Sequence, residues 1–416
     1  MELGPYKLNR VHHGDALVCL RRLADACVHT CVTSPPYWGL RNYKLEPIIW
    51  GGVAGCEHEF EKVPPRRVRT EKDAMNHPKQ MGNRGSYYNA ADSDICTKCG
   101  AWRGSLGLEP TPGLYVEHLV QILMEVRRVL RADGTLWLNL GDSYAGGGGA
   151  SGHTAETKNL GRPTASYGAV STAARDYTGT GLKKKNLAGI PWRVAFALQA
   201  AGWWLRSDII WAKPNPMPES VTDRPTRCHE YIFLLSKTDK YYYNNRAIME
   251  PYKQSTVDRQ DGTRVTTSNP DRPVGFRRLL KSSGRNKRSV WTIPVQPFRD
   301  AHFATFPPDL VRPCVRAGSS AAGHCPLCGV PWVPPGCKCG RLPVPCIVLD
   351  PFAGAGTTGV VAVEEGRDFL GFDLNEKYCT DIAAPRVEAA RQGLKIAEYR
   401  AGQKSLFAGV EDGENI

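Results

Sequence analysis

The chain has 416 residues, 41% of them hydrophobic, and a formal net charge of +13. This length suits one large α/β domain with insertions or two domains, and the positive charge favours a polyanionic partner, with a merely soluble basic protein as the alternative. The amino terminus has no signal-peptide core and no apolar run is long enough to span a membrane, so the 14 cysteines favour zinc ligands in a reducing cytoplasm over secreted disulfides.

Residues 6–38 are predicted to form a strand, a helix and a second strand. The first strand ends at His13-Gly14-Asp15, and Leu17, Leu20 and Leu23 then give a short helix an apolar face. Asp15 stands where it can cap this helix.

The turn Ser34-Pro35-Pro36-Tyr37 follows a predicted buried strand over Thr30–Thr33. Open α/β sheets bind ligands in the loops at the carboxyl ends of their strands. Because proline has no N–H, carbonyl acceptors remain free beside a flat ring, which suits a nucleobase with an exocyclic amine. The alternative is a Pro-Pro turn with a packing tyrosine.

Residues 51–110 interrupt the sheet pattern with polar, glycine-rich and basic sequence. The pair Cys96 and Cys99 forms a Cys-x2-Cys knuckle followed by glycine, and Cys56 with His58 can complete a tetrahedral zinc site. The segment is therefore predicted to be a zinc-binding insertion, and a knuckle without metal is the alternative.

Residues 111–245 return to alternating helices and strands. The predicted elements are a helix from Thr111 to Leu130, a strand over Thr135–Leu140, a mobile loop over 146–187, a helix from Pro191 to Arg206, and strands over Ile209–Trp211 and His229–Leu235. Tyr241-Tyr242-Tyr243 is expected to pair with the last of these strands, and the proline-rich segment 213–220 lies at a strand end.

Residues 246–290 are polar and basic and are the best candidate for recognition of a DNA target. The predicted phosphate contacts, which a solvated charged loop would also explain, are Arg277, Arg278, Lys281, Arg285, Lys287 and Arg288.

Two cysteine knuckles lie in the segment 321–346, which follows a predicted helix within 291–320. Cys325, Cys328, Cys337 and Cys339 are predicted to form a zinc ribbon, with Cys346 as a rival ligand.

Residues 347–400 begin with a strand, a glycine-rich turn and a helix, and residues 401–416 form a tail. Gly354 and Gly356 permit close approach of a ligand to the backbone, and the helix presents its amino end. A second strand ends at Asp373, at roughly the distance where an acid binds the hydroxyls of a ribose.

The turn Ser34-Pro35-Pro36-Tyr37 and the segment Asp350-Pro351-Phe352-Ala353-Gly354-Ala355-Gly356 together resemble the catalytic and cofactor motifs of the amino-methylating DNA methyltransferases. The catalytic motif comes first, an order similar to that of the permuted β-class. The resemblance covers 6–50, 111–145, 188–244 and 291–395, and the insertions lie outside it. It implies a Rossmann-like α/β sheet in which the last helix returns the chain beside the amino-terminal strand at Val11–Gly14.

The resemblance also implies S-adenosylmethionine as cofactor, with Asp15 on its adenine and Phe306 near its methionine part. The remaining implied cofactor contacts are Asp350, Pro351, Phe352, Gly354, Gly356, Thr357, Thr358 and Asp373. Ser34, Pro35, Pro36 and Tyr37 would hold a base flipped out of duplex DNA.

Serine at the first motif position is commoner in cytosine-N4 members of the family, so cytosine-N4 methylation is the leading prediction and adenine-N6 the runner-up. A non-catalytic zinc-ribbon DNA-binding protein is the competing class. A cytosine carbon-5 enzyme would need a nucleophilic cysteine, and Cys314 and Cys346 follow prolines outside the expected strand-end setting. The prediction includes a monomer or homodimer, no membrane partner, and a cognate restriction endonuclease as an optional partner.

Overall fold

The structure is a computed structural model and describes residues 2–40, 46–62, 94–145, 181–252, 284–296, 306–331 and 337–407. The strands in these ranges are β1 Glu2–Leu3, β2 Tyr6–Lys7, β3 Arg10–His13, β4 Val28–Thr33, β5 Ile48–Trp50, β6 Phe60–Lys62, β7 Asp94–Cys96, β8 Trp102–Gly104, β9 Leu130–Leu140, β10 Trp204–Ala212, β11 His229–Ser236, β12 Val290–Thr292, β13 Ile347–Asp350 and β14 Asp368–Asp373. The α-helices there are α1 Ala16–Arg21, α2 Pro112–Val129, α3 Ile190–Ala200, α4 Pro308–Gly318, α5 Thr357–Glu364, α6 Ala384–Arg391 and α7 Ile396–Phe407. A 3₁₀ turn covers Asn245–Ile248, and a π-helix covers Tyr378–Ala383.

Eight strands form the main sheet in the order β12-β10-β11-β9-β4-β13-β14-β3. Strand β11 runs antiparallel to both of its neighbours, while the other pairings in the sheet are parallel. The carboxyl ends of seven strands and the amino end of β11 therefore share one edge, which is where the predicted α/β sheet binds its ligands.

The last strand of the sheet, β14, pairs in parallel with the first, β3, and Asp373 stands opposite His13. The π-helix Tyr378–Ala383 then packs against β3. The predicted return of the chain beside Val11–Gly14 is therefore confirmed.

Helices cover both faces of this sheet, and alternate residues of each strand enter two hydrophobic cores. In β4, Cys31 packs into the core under α1, α2 and α3, while Val32 packs into the core under α4 and α5. The α2 positions predicted from helical spacing are all buried: Leu119, Ile122, Leu123, Val126 and Leu130, the last as the cap residue. Burial on both faces explains why the central strands are continuously apolar.

A small second sheet, in the order β5-β8-β7-β6, carries the first cysteine cluster. It docks on the main domain through buried Trp50 and Trp102, whose rings stack on His118 of α2 at 4.5 and 5.3 Å. His118 in turn pairs with buried Glu109 at 3.1 Å. This sheet is thereby fixed next to the turn that follows β4.

Two sequence predictions of secondary structure were wrong. Helix α3 ends at Ala200 rather than Arg206, because Gly202 adopts a φ of +95° and β10 begins at Trp204. Tyr241–Tyr243 does not pair with β11, because both edges of β11 are already occupied by β9 and β10. The amide of Tyr242 instead donates to the carbonyl of Asp133. No helix in the described ranges is long and apolar enough to cross a membrane.

Candidate active site and metal centres

One cavity of about 560 Å³ opens along the strand-end edge of the main sheet. Its lining joins the turn after β4 with the glycine-rich turn after β13, although the two are far apart in the sequence. The topology causes this meeting, since β4 and β13 are parallel neighbours and end at the same edge. A cavity of this size accommodates a cofactor-sized ligand.

Asp350 holds the glycine-rich turn 351–356 in place. Its buried carboxylate accepts hydrogen bonds from the hydroxyls of Thr33 at 2.6 Å and Thr358 at 2.7 Å, and from the amide of Phe352 at 3.1 Å. Burial raises the pKa of the Asp350 carboxyl to about 6, against the effect of these three donors. Asp350 therefore ties the ends of β4 and β13 to the first turn of α5.

Asp373, at the end of β14, holds the same turn from the side. Its carboxylate accepts hydrogen bonds from the amides of Gly354 at 2.9 Å and Asn375 at 2.8 Å. Burial raises the pKa of Asp373. Gly354 has a φ of +50° and open space on the side where a Cβ would stand, so a ligand can approach its backbone closely.

Most of the predicted cofactor residues line the cavity: Asp15, Phe306, Pro351, Phe352, Gly354, Thr357 and Asp373. Asp15 also caps α1, because its carboxylate accepts from the amide of Val18 at 2.9 Å, so both interpretations of this residue are compatible. Gly356 and Thr358 are not among the residues that line the cavity. The prediction that Thr358 contacts the cofactor is not supported, because its buried hydroxyl donates to Asp350.

The turn Ser34-Pro35-Pro36-Tyr37 lines the other end of the cavity. Tyr115 of α2 donates its hydroxyl to the carbonyl of Pro36 at 2.9 Å, which fixes the turn. The carbonyl of Pro35 accepts no hydrogen bond from the part of the chain that the structure describes. Of the carbonyls of this turn that were expected to remain as acceptors, that of Pro35 does so with respect to the described residues, whereas that of Pro36 is taken by Tyr115.

A chain of polar side chains continues from this turn along the strand ends. Ser34 Oγ donates to Tyr37 Oη at 3.1 Å, and Tyr37 Oη donates to Glu230 Oε2 at 2.7 Å. The other carboxylate oxygen of Glu230 accepts from the ammonium of Lys213. Burial, with the nearby charge of Glu230, raises the pKa of Tyr37 well above its usual value, so the phenol stays protonated.

Sequence reasoning assigned no role to Asn139, Asp142 or Glu230, which also line the cavity. Each is a polar residue at the end of an apolar strand, and that signal is visible in the sequence. For Glu230 the signal is ambiguous, because it stands at the start of its strand. Only the antiparallel direction of β11 brings this start to the ligand-binding edge.

Each predicted zinc site is brought together in space, with the ligand atoms of each set within 4.8 Å of one another. The first set is Cys56, His58, Cys96 and Cys99, and the second is Cys325, Cys328, Cys337 and Cys339. The Cys-x2-Cys knuckles of the two sets share one backbone hydrogen bond. The amide of Gly100 donates to the carbonyl of Cys96 at 2.9 Å, and the amide of Gly329 donates to the carbonyl of Cys325 at 2.8 Å. Amides of Cys328 and Leu327 lower the pKa of Cys325 to about 6, despite its burial, which favours a thiolate ligand.

Cys346, the rival ligand, lies in a third group with His29 and His324 instead. The amide of Ile347 donates to Nδ1 of His29 at 3.0 Å, so neutral His29 carries its proton on Nε2. A protonated nitrogen cannot bind a metal, and burial, with the nearby His324, lowers the pKa of His29 to about 2. This group is therefore a buried polar contact between the second cysteine cluster and the sheet.

Among the described residues, no cysteine lines the cavity, which agrees with the rejection of a carbon-5 mechanism. Burial is the largest cause that raises the pKa of Cys314, and it also raises the pKa of Cys346 to about 11. Both thiols are therefore poor nucleophiles.

Half of the predicted cationic segment lies in the described residues; Arg277, Arg278 and Lys281 lie outside them. Arg285, Lys287 and Arg288 surround the single carboxylate of Glu250 at 3.4 to 3.8 Å. One carboxylate cannot neutralise three cations, so this cluster keeps a positive charge.

Comparisons with known proteins identify the family of the chain. The family of N6 and N4 methyltransferases, described as DNA methylase, matches residues 28–384. Type II methyltransferase M.XycI of Xanthomonas campestris pv. cyanopsidis is 36% identical over 92% of this chain and 88% of its own, and M.SmaI of Serratia marcescens is 38% identical over 90% and 89%. The structure of the cytosine-N4-specific PvuII DNA methyltransferase is similar with a TM-score of 0.48 at 14% identity, covering 96% of this chain and 93% of that one. The chain belongs to the N6/N4 DNA methylase family.

Proposed function

We propose that this protein transfers a methyl group from S-adenosylmethionine to the exocyclic N4 of cytosine in duplex DNA, at a specific sequence. The single observation that carries the proposal is the continuous cavity that joins the Ser34–Tyr37 turn to the glycine-rich turn 351–356. A methyl donor and an amine acceptor must meet in line for direct transfer, and one cavity with two differently built ends permits this.

The cofactor end has the chemistry that S-adenosylmethionine needs. The carboxylate of Asp373 suits ribose hydroxyls, the open side of Gly354 admits close contact, and the ring of Phe306 supplies an apolar wall. When bound there, S-adenosylmethionine supplies an electrophilic methyl group next to the second end of the cavity.

The other end fits a flipped base. The free carbonyl of Pro35 and the hydroxyl of Ser34 are acceptors for the two amine hydrogens, and the ring of Tyr37 offers a face for stacking. Two acceptors on the hydrogens pull the amine towards pyramidal geometry and expose its lone pair.

The choice of cytosine rests on Ser34, the residue type commoner in cytosine-N4 members of the family. Adenine presents the same pattern of an amine beside a ring nitrogen, so the pocket also admits adenine-N6 as the second candidate. Incubation with unmethylated duplex DNA and S-adenosylmethionine labelled in the methyl group, followed by digestion to nucleosides, decides between them. Label in N4-methyldeoxycytidine supports the proposal, and label in N6-methyldeoxyadenosine overturns the choice of base.

The insertions are proposed to select the DNA sequence. We place two structural zinc ions, one in each cysteine cluster, and duplex DNA over the cationic cluster of Arg285, Lys287 and Arg288. In this division, 1–50, 111–245, 291–320 and 347–400 form the catalytic domain, 51–110 and 321–346 the zinc modules, 246–290 the recognition region and 401–416 a tail. Because its relatives are named type II methyltransferases, protection of DNA from a partner endonuclease is the proposed cellular role.

A further inference from the structure

We propose that Glu230 is the final proton acceptor of the methyl transfer, reached from the target amine through the hydroxyls of Ser34 and Tyr37. The inference rests on the proposed function. The observations that carry it are the two consecutive hydrogen bonds, 3.1 Å from Ser34 to Tyr37 and 2.7 Å from Tyr37 to Glu230, which end on a carboxylate in the cavity wall.

The direction of this chain is fixed by its last member. Ionised Glu230 can only accept, so Tyr37 donates to it and must accept from Ser34. The hydroxyl hydrogen of Ser34 is thereby used, and its lone pairs are left to accept a hydrogen from the target amine. Asn139 Oδ1 lies 3.0 Å from Tyr37 Oη, but the bond to Glu230 is shorter and charge-assisted, so the single phenol hydrogen points to Glu230.

Two neighbouring groups donate hydrogen bonds to the carboxylate of Glu230. Lys213 pairs with one carboxylate oxygen, and the amide of Asn139 donates to the other at 3.1 Å. The Lys213–Glu230 pair is only partly exposed, with 19% and 16% of the side chains accessible, so screening by solvent is limited. A methylated aromatic amine that still carries its extra proton is a strong acid. A weak base is therefore sufficient.

The amine nitrogen forms a bond to the methyl carbon, the bond from that carbon to sulfur breaks, and its electron pair stays on sulfur. The amine proton moves to Ser34 Oγ, the proton of Ser34 moves to Tyr37 Oη, and the proton of Tyr37 moves to Glu230 Oε2. The products are the methylated base, S-adenosylhomocysteine and a neutral Glu230 beside the cation of Lys213.

Two substitutions test the relay without removing the ring that stacks on the base. Glu230→Gln keeps the size and hydrogen bonding of the side chain but cannot take up a proton, and Tyr37→Phe keeps the ring but breaks the chain. We expect each to lower the single-turnover rate of methyl transfer by about 100-fold or more, the scale of general acid–base catalysis. Binding of S-adenosylmethionine should be unchanged. Glu365→Gln is the matched control, since Glu365 also pairs with cations, Arg312 and Arg316, but outside the cavity.

The decisive readout is the pH dependence of that single-turnover rate. If Glu230 is the proton acceptor, the rate of the parent protein should fall at acidic pH, and this fall should be absent in Glu230→Gln. The groups around Glu230 that could also titrate or shift it are Tyr37, Asp142, Lys213, Arg227 and His229. His229 precedes Glu230 in β11 and also lines the cavity, so the acid-side fall must persist in His229→Asn.

The outcomes separate the two proposals. If the parent protein methylates DNA and Glu230→Gln does so equally fast, or more slowly with the acid-side fall intact, Glu230 has only a supporting role and the relay is wrong. Should Glu230→Gln fail to fold, the double variant Lys213→Met/Glu230→Gln removes the unpaired cation, and the same criteria apply to it. A parent protein that transfers no methyl group to any DNA overturns the proposed function together with the relay.

Discussion

Replacing Asp373 by asparagine should weaken the binding of S-adenosylmethionine while leaving the sheet intact. The proposed contact is between the carboxylate and the ribose hydroxyls. Hydrogen bonds to a charged group contribute about 1.5 to 3 kcal/mol, and each 1.4 kcal/mol is a factor of ten, so the dissociation constant should rise about 10- to 150-fold.

The same substitution also has a cost in stability. Both carboxylate oxygens of Asp373 already accept a backbone amide, from Gly354 and Asn375. Asparagine has only one oxygen, so one of these amides loses its acceptor, at a cost of about 1 to 3 kcal/mol in the free energy of unfolding. Affinity must therefore be measured by calorimetry at a temperature where the variant is fully folded.

Asp368→Asn is the matched control, since Asp368 lies at the opposite end of the same strand, outside the cavity. One of its oxygens accepts from Asn9 at 2.8 Å, and the other is buried without a partner among the described residues, so an amide can replace the carboxylate. This variant should bind S-adenosylmethionine like the parent. Equal affinity in Asp373→Asn and Asp368→Asn would refute the assignment of Asp373 to the ribose.

Three further predictions follow from the metal clusters, the buried carboxylate and the cationic cluster. Protein purified without chelators should contain two equivalents of zinc by elemental analysis, Cys337→Ser should lose about one of them, and metal well below one equivalent would refute both sites. The pKa of Asp350 is higher in the folded protein, about 6 against an ordinary 3.8, so the folded state binds the extra proton between these values. The free energy of unfolding from urea titrations should fall by about 3 kcal/mol as pH rises through that window, relative to Asp350→Asn, and parallel curves for the two proteins would contradict the burial argument. Neutralising Lys281, Arg285 and Lys287 together should weaken binding to all DNA alike and flatten its salt dependence by about one unit of slope per lost phosphate contact, whereas a changed target sequence with an intact slope would make the segment a base reader.

The hydrogen bonds of the Tyr37 hydroxyl support the predicted stacking role of its ring. Its hydroxyl is hydrogen-bonded to Ser34 and Glu230, so the ring is held in place before any base arrives. Tyr37→Ala removes stacking worth about 1 to 3 kcal/mol and the relay together, while Tyr37→Phe removes the relay alone. The difference in single-turnover rate between the two variants measures the contribution of the ring, and equal rates would mean that the ring does not stack.

The sequence by itself determined the buried strand before Ser34, the glycine-rich turn after Asp350 and the two cysteine knuckles. These features depend on local rules: apolar runs form buried strands, proline and glycine restrict or free the backbone, and a Cys-x2-Cys-Gly turn aims two thiols at one point. The return of the chain by its last helix beside the amino-terminal strand was implied by the family resemblance, and the packing of the π-helix Tyr378–Ala383 against β3 confirms it.

Only the tertiary structure decided which polar residues share the cavity. Glu230 begins a strand, and in a wholly parallel sheet it would lie at the edge away from the ligand. The antiparallel pairing of β11 with β9 and β10 reverses that placement and brings Glu230 within hydrogen-bond distance of Tyr37. Thr358 shows the converse, since the family resemblance implied a contact with the cofactor and packing directed its hydroxyl to Asp350. Strand direction and side-chain facing depend on contacts between segments far apart in the chain, which local patterns do not encode.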